Sequence, residues 1–372
     1  MMRICFLADA SSVHTQRWVR HFVRCGDDVS VLSFEEAHIP GAAVHLISSY
    51  GIGPRPGKYV WAAPRVAKLL RQIRPDVLHA HYCGGYGLLG SLVQYHPLVL
   101  TAWGSDVLAV PGESRLRRYL VQYCLRHGDL VTAVAEHMRS VIRDLGVQEE
   151  RIMTFPFGVD SSFLETGFRR TPHNLAQHPL IVSTRHLEPV YNIKLLVEAL
   201  PDIIGSVPAV QVRIIGDGSQ RRVLEARVAE LNIGDHVHFA GKVSHGEIPK
   251  ILSVADVFIS TSLSDGNNVS LNEAMACGAF PIVSNIPANR EWIDDGVTGF
   301  LIDPADSGAL ARKVITALGD PHLRQRAAAR NREVVQNRGS WDSSMSIMRK
   351  QYEVLIAKFA NPATSRLPSM RT

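Results

Sequence analysis

The chain has 372 residues, 46% of them hydrophobic and 20% charged, and a formal net charge of +5. Its length suits two domains of about 100–200 residues each, and its composition suits a soluble globular protein rather than a disordered or fibrous one. No stretch approaches the roughly 20 apolar residues of a bilayer span, and the basicity lacks the clustering of a nucleic-acid binder.

The first apolar run, "MRICFLAD", reads as a buried strand and not as a signal peptide. It is followed by the helical pattern "VHTQRWVRHFVRCG" and the strand "DVSVLSF". The rhythm continues. "KYVWAAPRVAKLLRQI" precedes "DVLHAHY", "YGLLGSLVQY" precedes "LVLTAWG", and "RLRRYLVQYCLRHG" precedes "DLVTAVA". Continuous apolar strands alternating with periodic helices indicate a parallel sheet covered on both faces. The pattern breaks at residues 164–179, "LETGFRRTPHNLAQHP", which is polar, holds two prolines and reads as a linker. Alternation then restarts, from "LIVSTR" to "AFPIVS". The expected architecture is α/β, with two doubly wound Rossmann-like domains facing a cleft. The expected boundaries are 1–163, a linker at 164–179, a second domain at 180–340, a C-terminal helix at 341–360 and a disordered tail at 361–372. In that helix Trp341, Met345, Met348, Tyr352 and Leu355 recur at spacings of three and four, an apolar face too long to leave in water.

Ligands of doubly wound sheets bind outside the carboxyl ends of the strands, so the residues just after each strand are the candidates. After the first strand comes "ASSVH", with Ser11, Ser12 and His14 in a polar turn that opens a helix and no GxGxxG. Gly84 and Gly85 follow "DVLHAHY" and serve either close backbone approach or a tight turn. His79 and His81 are expected on opposite faces of that strand, which leaves no metal pair. Trp103 and Asp106 stand at the cleft edge, with core packing the competing role for Trp103. In the second half "STRHLEPVYNIK" offers Arg185 and Lys194 to an anion, and "GDG" supplies Gly216 and Gly218 for a close turn. On "ESRLRRYLVQYCLRH", Arg115, Arg117, Arg118 and Arg126 form either a solvated face or a surface for anionic membranes or substrates.

The segment "SLSDGNNVSLNEAMACG" carries the most chemistry. Asp265 lies in a loop after a strand, and Glu273 lies about one turn into the following helix. The N–H groups of Gly266, Asn267, Asn268 and Val269 lie where that helix begins and would face an anion. Two carboxylates bracketing a ligand suit paired hydroxyls, such as those of a sugar or ribose. The competing role for Asp265 is a turn or helix cap.

These residues resemble glycosyltransferase family 4, retaining sugar transferases of the GT-B fold. The likeness runs through "STRHLEPVYNIKLLVEAL", "VADVFISTSLSDGNNVSLNEAMACGAFPIVSN" and "WIDDGVTGFLIDPAD", and reaches the first half at "LTAWGSD" and "IMTFPFGVDSSF". The resemblance implies that Glu273 binds the ribose of a UDP- or GDP-sugar and that Asp265, where the family usually has Glu, contacts the transferred sugar. It implies that Gly266, Asn267 and Asn268 cradle sugar and β-phosphate, and that Arg185 holds the diphosphate. Ser11, Ser12, His14, His81, Trp103 and Asp106 fall on the acceptor side, and the C-terminal helix crosses back onto the first domain. Tyr191 stands near the family's usual Lys, so Lys194 is the candidate replacement. Trp103 stands where the family often has His, and Ser11-Ser12 where it often has Gly-Gly. The implied activity moves a sugar from a nucleotide-sugar donor to a hydroxyl acceptor, saccharide or lipid-linked, without metal or other cofactor. The implied setting is cell-surface polysaccharide, glycolipid or secondary-metabolite glycosylation. The five cysteines show no metal-ligand spacing and read as reduced thiols. The expected location is therefore the cytoplasm, with peripheral contact at the inner face of a membrane. The alternatives are an inactive nucleotide-sugar-binding protein, or another GT-B enzyme such as a nucleotide-sugar epimerase.

Overall fold

The computed structural model describes residues 1–47, 57–169 and 178–360. The chain divides into two compact units, Met1–Phe155 with the chain from Met345 onward, and Pro156–Ser344.

The first unit contains, in order, β1 (Arg3–Leu7), α1 (Val13–Arg24), β2 (Asp28–Ser33), β3 (Ala43–Leu46), α2 (Gly57–Ile73), β4 (Val77–His81), α3 (Tyr86–Leu92) and β5 (Leu98–Ala102). It continues with α4 (Ser105–Leu108), α5 (Val110–Glu113), α6 (Arg115–His127), β6 (Leu130–Ala133), α7 (His137–Asp144) and β7 (Ile152–Thr154). The strands form one parallel sheet in the order β3-β2-β1-β4-β5-β6-β7. Every residue of β4 and β5 is buried, as central strands covered on both faces require. Helix α1 buries Thr15, Trp18, Val19 and Phe22, one stripe at helical spacing. The short strands β3 and β7 were not expected, because neither carries a long apolar run.

The second unit contains α8 (Ser161–Phe168), β8 (Leu180–Ser183), α9 (Ile193–Ser206), β9 (Gln211–Ile215), α10 (Arg221–Glu230), β10 (Val237–Gly241), α11 (Ile248–Ser253) and β11 (Val257–Ser260). It ends with α12 (Val269–Cys277), β12 (Phe280–Ser284), α13 (Pro287–Arg290), β13 (Phe300–Ile302), α14 (Ser307–Gly319) and α15 (Pro321–Arg338). Its parallel sheet runs β10-β9-β8-β11-β12-β13. Alternation along β11 sends Val257 and Ile259 into one apolar layer and Phe258 into the other, so both faces are filled.

The expected linker overlaps helix α8. Residues 161–168 are helical, and Phe163 is fully buried in the second unit's core. The division falls at Phe155 and Pro156 instead. A polar, proline-bearing composition masked a helix of about two turns, which Phe163 and, in part, Leu164 anchor to the core. The rest of the expected linker, residues 170–177, and the expected disordered tail at 361–372 lie outside the described residues.

Helix α16 (Trp341–Ala360) buries the five expected positions, each 8% exposed or less. From Met345 it belongs to the first unit. The fully buried Tyr352 hydroxyl lies 2.5 Å from His79 Nδ1, and His79 Nε2 lies 2.6 Å from Thr101 Oγ1. Arg349 forks onto both oxygens of Asp27, with Nη2 donating to Oδ1 at 3.1 Å. No helix of the described residues is long and apolar enough to cross a membrane.

Both sheets reverse their winding once, between β1 and β4 and between β8 and β11. Loops splay apart at such a point and leave a crevice at the carboxyl ends of the strands.

Candidate active site

In the second unit, Arg185 follows β8 and is only 8% exposed. Its Nη2 donates to Asp265 Oδ2 at 2.5 Å, and its Nη1 donates to Asn268 Oδ1 at 2.9 Å. The guanidinium lies 4.4 Å from the centre of the Tyr191 ring, a cation–π contact. Its Nε is buried and has no hydrogen-bond partner among the described residues. Asp265 and Asn268 come from the loop after β11, so the reversal of winding brings this cluster together.

The Arg185 loop is held from behind. Leu187 N–H donates to Asp217 O, and Gln220 N–H donates to Leu187 O. A Cβ on Gly216, at φ +137°, would stand 2.3 Å from Arg185 O, and one on Gly218 would stand 2.5 Å from Leu187 O. Both glycines are therefore required for two loops to touch. Lys194 is exposed on α9, one turn before Glu198, whose carboxyl is held low by the Arg227 hydrogen bond first and by Lys194 last. The structure does not bring it into the Arg185 cluster.

Asn268, and not Asp265, caps α12: its Oδ1 accepts from Leu271 N–H at 3.1 Å. Its amide donates to Ser260 Oγ at 3.2 Å and Asn289 Oδ1 at 2.9 Å. The Val269 N–H, expected to face an anion, donates to Asn267 O at 2.9 Å within the turn. Asn267 is 8% exposed, and its Nδ2 has no partner among the described residues; the same holds for Oδ1 of Asn272. Buried polar atoms are rarely left unpaired, so these three, on the loop after β8 and on the loop and helix after β11, are candidate partners for a polar ligand. Glu273 is 7% exposed and accepts from His245 Nε2 at 2.9 Å. The other ring nitrogen of His245 lies 3.8 Å from Asp160 Oδ2.

In the first unit, His79 and His81 share one face of β4, with ring centroids 4.7 Å apart. Residues two apart on a strand face the same way, which corrects the expectation of opposite faces. His79 is occupied by Tyr352 and Thr101, and among the described residues no group of three or more metal-ligating side chains could hold an ion. Asp106 is fully buried and accepts backbone N–H groups of Cys83, Trp103 and Gly104. It fastens the loops after β4 and β5, and burial pushes its carboxyl up. Ser11 bonds Asp9 at 2.6 Å, and His14 packs edge-on against Trp103 at 5.0 Å. Ser12, His81 and Trp103 line a cavity of about 550 Å³ at the ends of β1, β4 and β5, also bounded by Gly84 and Gly85.

The sequence of the second half, residues 168–334, matches the family described as Glycosyl transferases group 1, and residues 3–135 match Glycosyl transferase 4-like. The chain is a glycosyltransferase. It is similar to an N-acetyl-alpha-D-glucosaminyl L-malate synthase of Bacillus anthracis, 24% identical over 321 residues, covering 83% of this chain and 81% of that one. It is also similar to a GDP-mannose-dependent alpha-(1-6)-phosphatidylinositol monomannoside mannosyltransferase of Mycolicibacterium smegmatis, 27% identical over 213 residues, covering 54% of this chain and 55% of that one. In fold it resembles Anabaena Alr3699/HepE, solved in complex with UDP, with a TM-score of 0.78, 18% identity and coverage of 95% and 100%. The GT-B architecture follows from these likenesses and the two sheets.

For this glycosyltransferase, sequence reasoning overlooked His245, Asn272, Asn289 and Asp160. Only His245 left a trace, a lone His in the polar turn before α11. The asparagines are told from ordinary helix residues only by burial. Tyr191, noted as standing in the place of Lys, stacks on the arginine.

Proposed function

We infer that the second unit binds a UDP- or GDP-sugar, and that the enzyme transfers the sugar to a hydroxyl acceptor with retention of anomeric configuration. The observation that carries the reading is Arg185: a buried guanidinium at the crevice between β8 and β11, with Nε unpartnered among the described residues and its other nitrogens on Asp265 and Asn268. Arginine offers five N–H donors in a planar fork, which suits a diphosphate. In this reading the diphosphate displaces Asp265 from Arg185, and the released carboxylate takes hydroxyls of the transferred sugar. Glu273 exchanges His245 for the ribose hydroxyls.

Breaking the C1–O bond builds positive charge on the sugar ring and negative charge on the leaving phosphate. Arg185 meets that negative charge in a site where it is already oriented, which is where electrostatic stabilisation acts most strongly. We assign no carboxylate the role of nucleophile, and the departing phosphate takes the acceptor proton on the face it leaves. Proton NMR of the product formed from α-linked UDP- and GDP-sugars tests this reading. An α-linked product supports it, and a β-linked product excludes same-face attack.

A further inference from the structure

In the diphosphate reading, Asp265 leaves Nη2 of Arg185 when the nucleotide arrives. Two of the guanidinium's contacts among the described residues then remain. Asn268 Oδ1 holds Nη1 at 2.9 Å, and the guanidinium lies over the Tyr191 ring, 4.4 Å from its centre. A single hydrogen bond is a pivot, about which the guanidinium can still tilt and rock. An aromatic ring packed against the cation removes that freedom and attracts the charge. With Nη1 taken by Asn268, the edge left for an anion is Nε with Nη2, two N–H donors set to meet two oxygens.

The half-buried Tyr191 cannot follow a moving arginine, because its own backbone is tied down. Tyr191 N–H donates to Glu188 O at 2.9 Å, and Pro189 opens that turn. Thr261 Oγ1 donates to Tyr191 O at 3.2 Å and to Asn192 O at 2.8 Å. Leu263 N–H donates to Val190 O at 2.8 Å. Asn192 stands at φ 49°, a left-handed position that asparagine tolerates, and its Nδ2 donates to Pro304 O at 2.9 Å. Thr261 and Leu263 belong to the segment after β11 that also carries Asp265 and Asn268. The ring is therefore fixed in the same frame as the other two partners of Arg185. Ordering a long flexible side chain opposes binding, and here the ordering is in place before the ligand arrives.

We propose that Tyr191 is a positioning residue of the donor site, whose ring holds the Arg185 guanidinium while a diphosphate replaces Asp265 on the Nε–Nη2 edge. The proposal rests on the reading of Arg185 as the diphosphate partner and adds the residue that keeps it oriented once Asp265 has left.

Calorimetric titration of UDP and GDP into the full chain tests it, with thermal denaturation run on every variant. Tyr191→Leu should weaken the bound nucleotide about fivefold or more, the loss expected for a desolvated contact between a cation and a ring. Tyr191→Phe keeps the ring and should stay within about twofold of the wild type. In the Arg185→Lys background, which has no guanidinium to hold, Tyr191→Leu should cost about twofold or less, so the two changes should not add. A residue that only supported the fold would lower the thermal midpoint and leave the affinity of the folded protein unchanged. Wild-type affinity in a folded Tyr191→Leu protein, equal losses in Tyr191→Phe and Tyr191→Leu, or full additivity with Arg185→Lys overturns the proposal. Failure of wild-type protein to bind UDP and GDP, or undiminished binding by Arg185→Ala, overturns the diphosphate reading beneath it instead.

Discussion

Replacing Asp265 by Asn should tighten nucleoside diphosphate binding. In the free protein Asp265 occupies Nη2 of Arg185 at 2.5 Å, in a pair that is 9% and 14% exposed at the side chains. A diphosphate must displace that carboxylate before it can use the fork. A hydrogen bond to a charged group is worth about 1.5–3 kcal/mol and a neutral one about 0.5–1.5 kcal/mol. The Asn side chain still accepts from Nη2, so the competitor weakens by about 1–1.5 kcal/mol, a five- to tenfold gain in affinity. UDP and GDP carry no sugar, so they lose nothing if Asp265 is a sugar ligand. The matching sugar nucleotide should gain less, and transfer should fall. Isothermal titration with a thermal-denaturation control reads each quantity. Unchanged or weaker diphosphate binding by a folded Asp265→Asn protein would refute the exchange between carboxylate and phosphate.

Glu273→Gln should weaken nucleoside diphosphate binding by about 1.5–3 kcal/mol through loss of a charged acceptor for ribose, and equal affinity by titration would remove that role. Arg349→Ala leaves the buried Asp27 carboxylate without its fork and should cost about 3–5 kcal/mol, read as a lowered denaturant midpoint. His79 and His81 are both held neutral by burial, His79 well below its usual value and His81 at about 3. The unfolded chain protonates both below about pH 6.5, so it binds up to two more protons and stability falls on acidification. The slope should approach 2.7 kcal/mol per pH unit between about pH 6 and 5 in denaturant titrations, and a flat profile there would contradict it.

The architecture was legible because its signals are periodic. Continuous apolar runs gave the parallel strands, and the spacing of Trp341, Met345, Met348, Tyr352 and Leu355 gave the buried face of α16. The boundary near Phe155 was not, since the second half of the two-turn helix α8, with Gly167, reads as polar loop until α12 packs on it; a Cβ on Gly167 would stand 2.0 Å from Ala276 O. At the site, Arg185 and Asp265 stood out as charges after strands. Their partnership did not, because 80 residues separate them and only the order of β8 and β11 joins them. Gly216 and Gly218 were visible as glycines, but their contact with the Arg185 loop needed coordinates. His245 left only the trace of a lone histidine in a polar turn, which without coordinates does not point to Glu273.

The central claim is that Arg185 receives the diphosphate of a nucleotide-sugar. Calorimetric titration of UDP and GDP into wild-type, Arg185→Ala and Arg185→Lys proteins tests it most directly. The account predicts binding of at least one nucleotide by the wild type, a loss of tenfold or more in the Ala variant, about 1.5–3 kcal/mol, and partial recovery in Lys, which keeps the charge and loses the fork. Undiminished binding by a folded Arg185→Ala protein would contradict it.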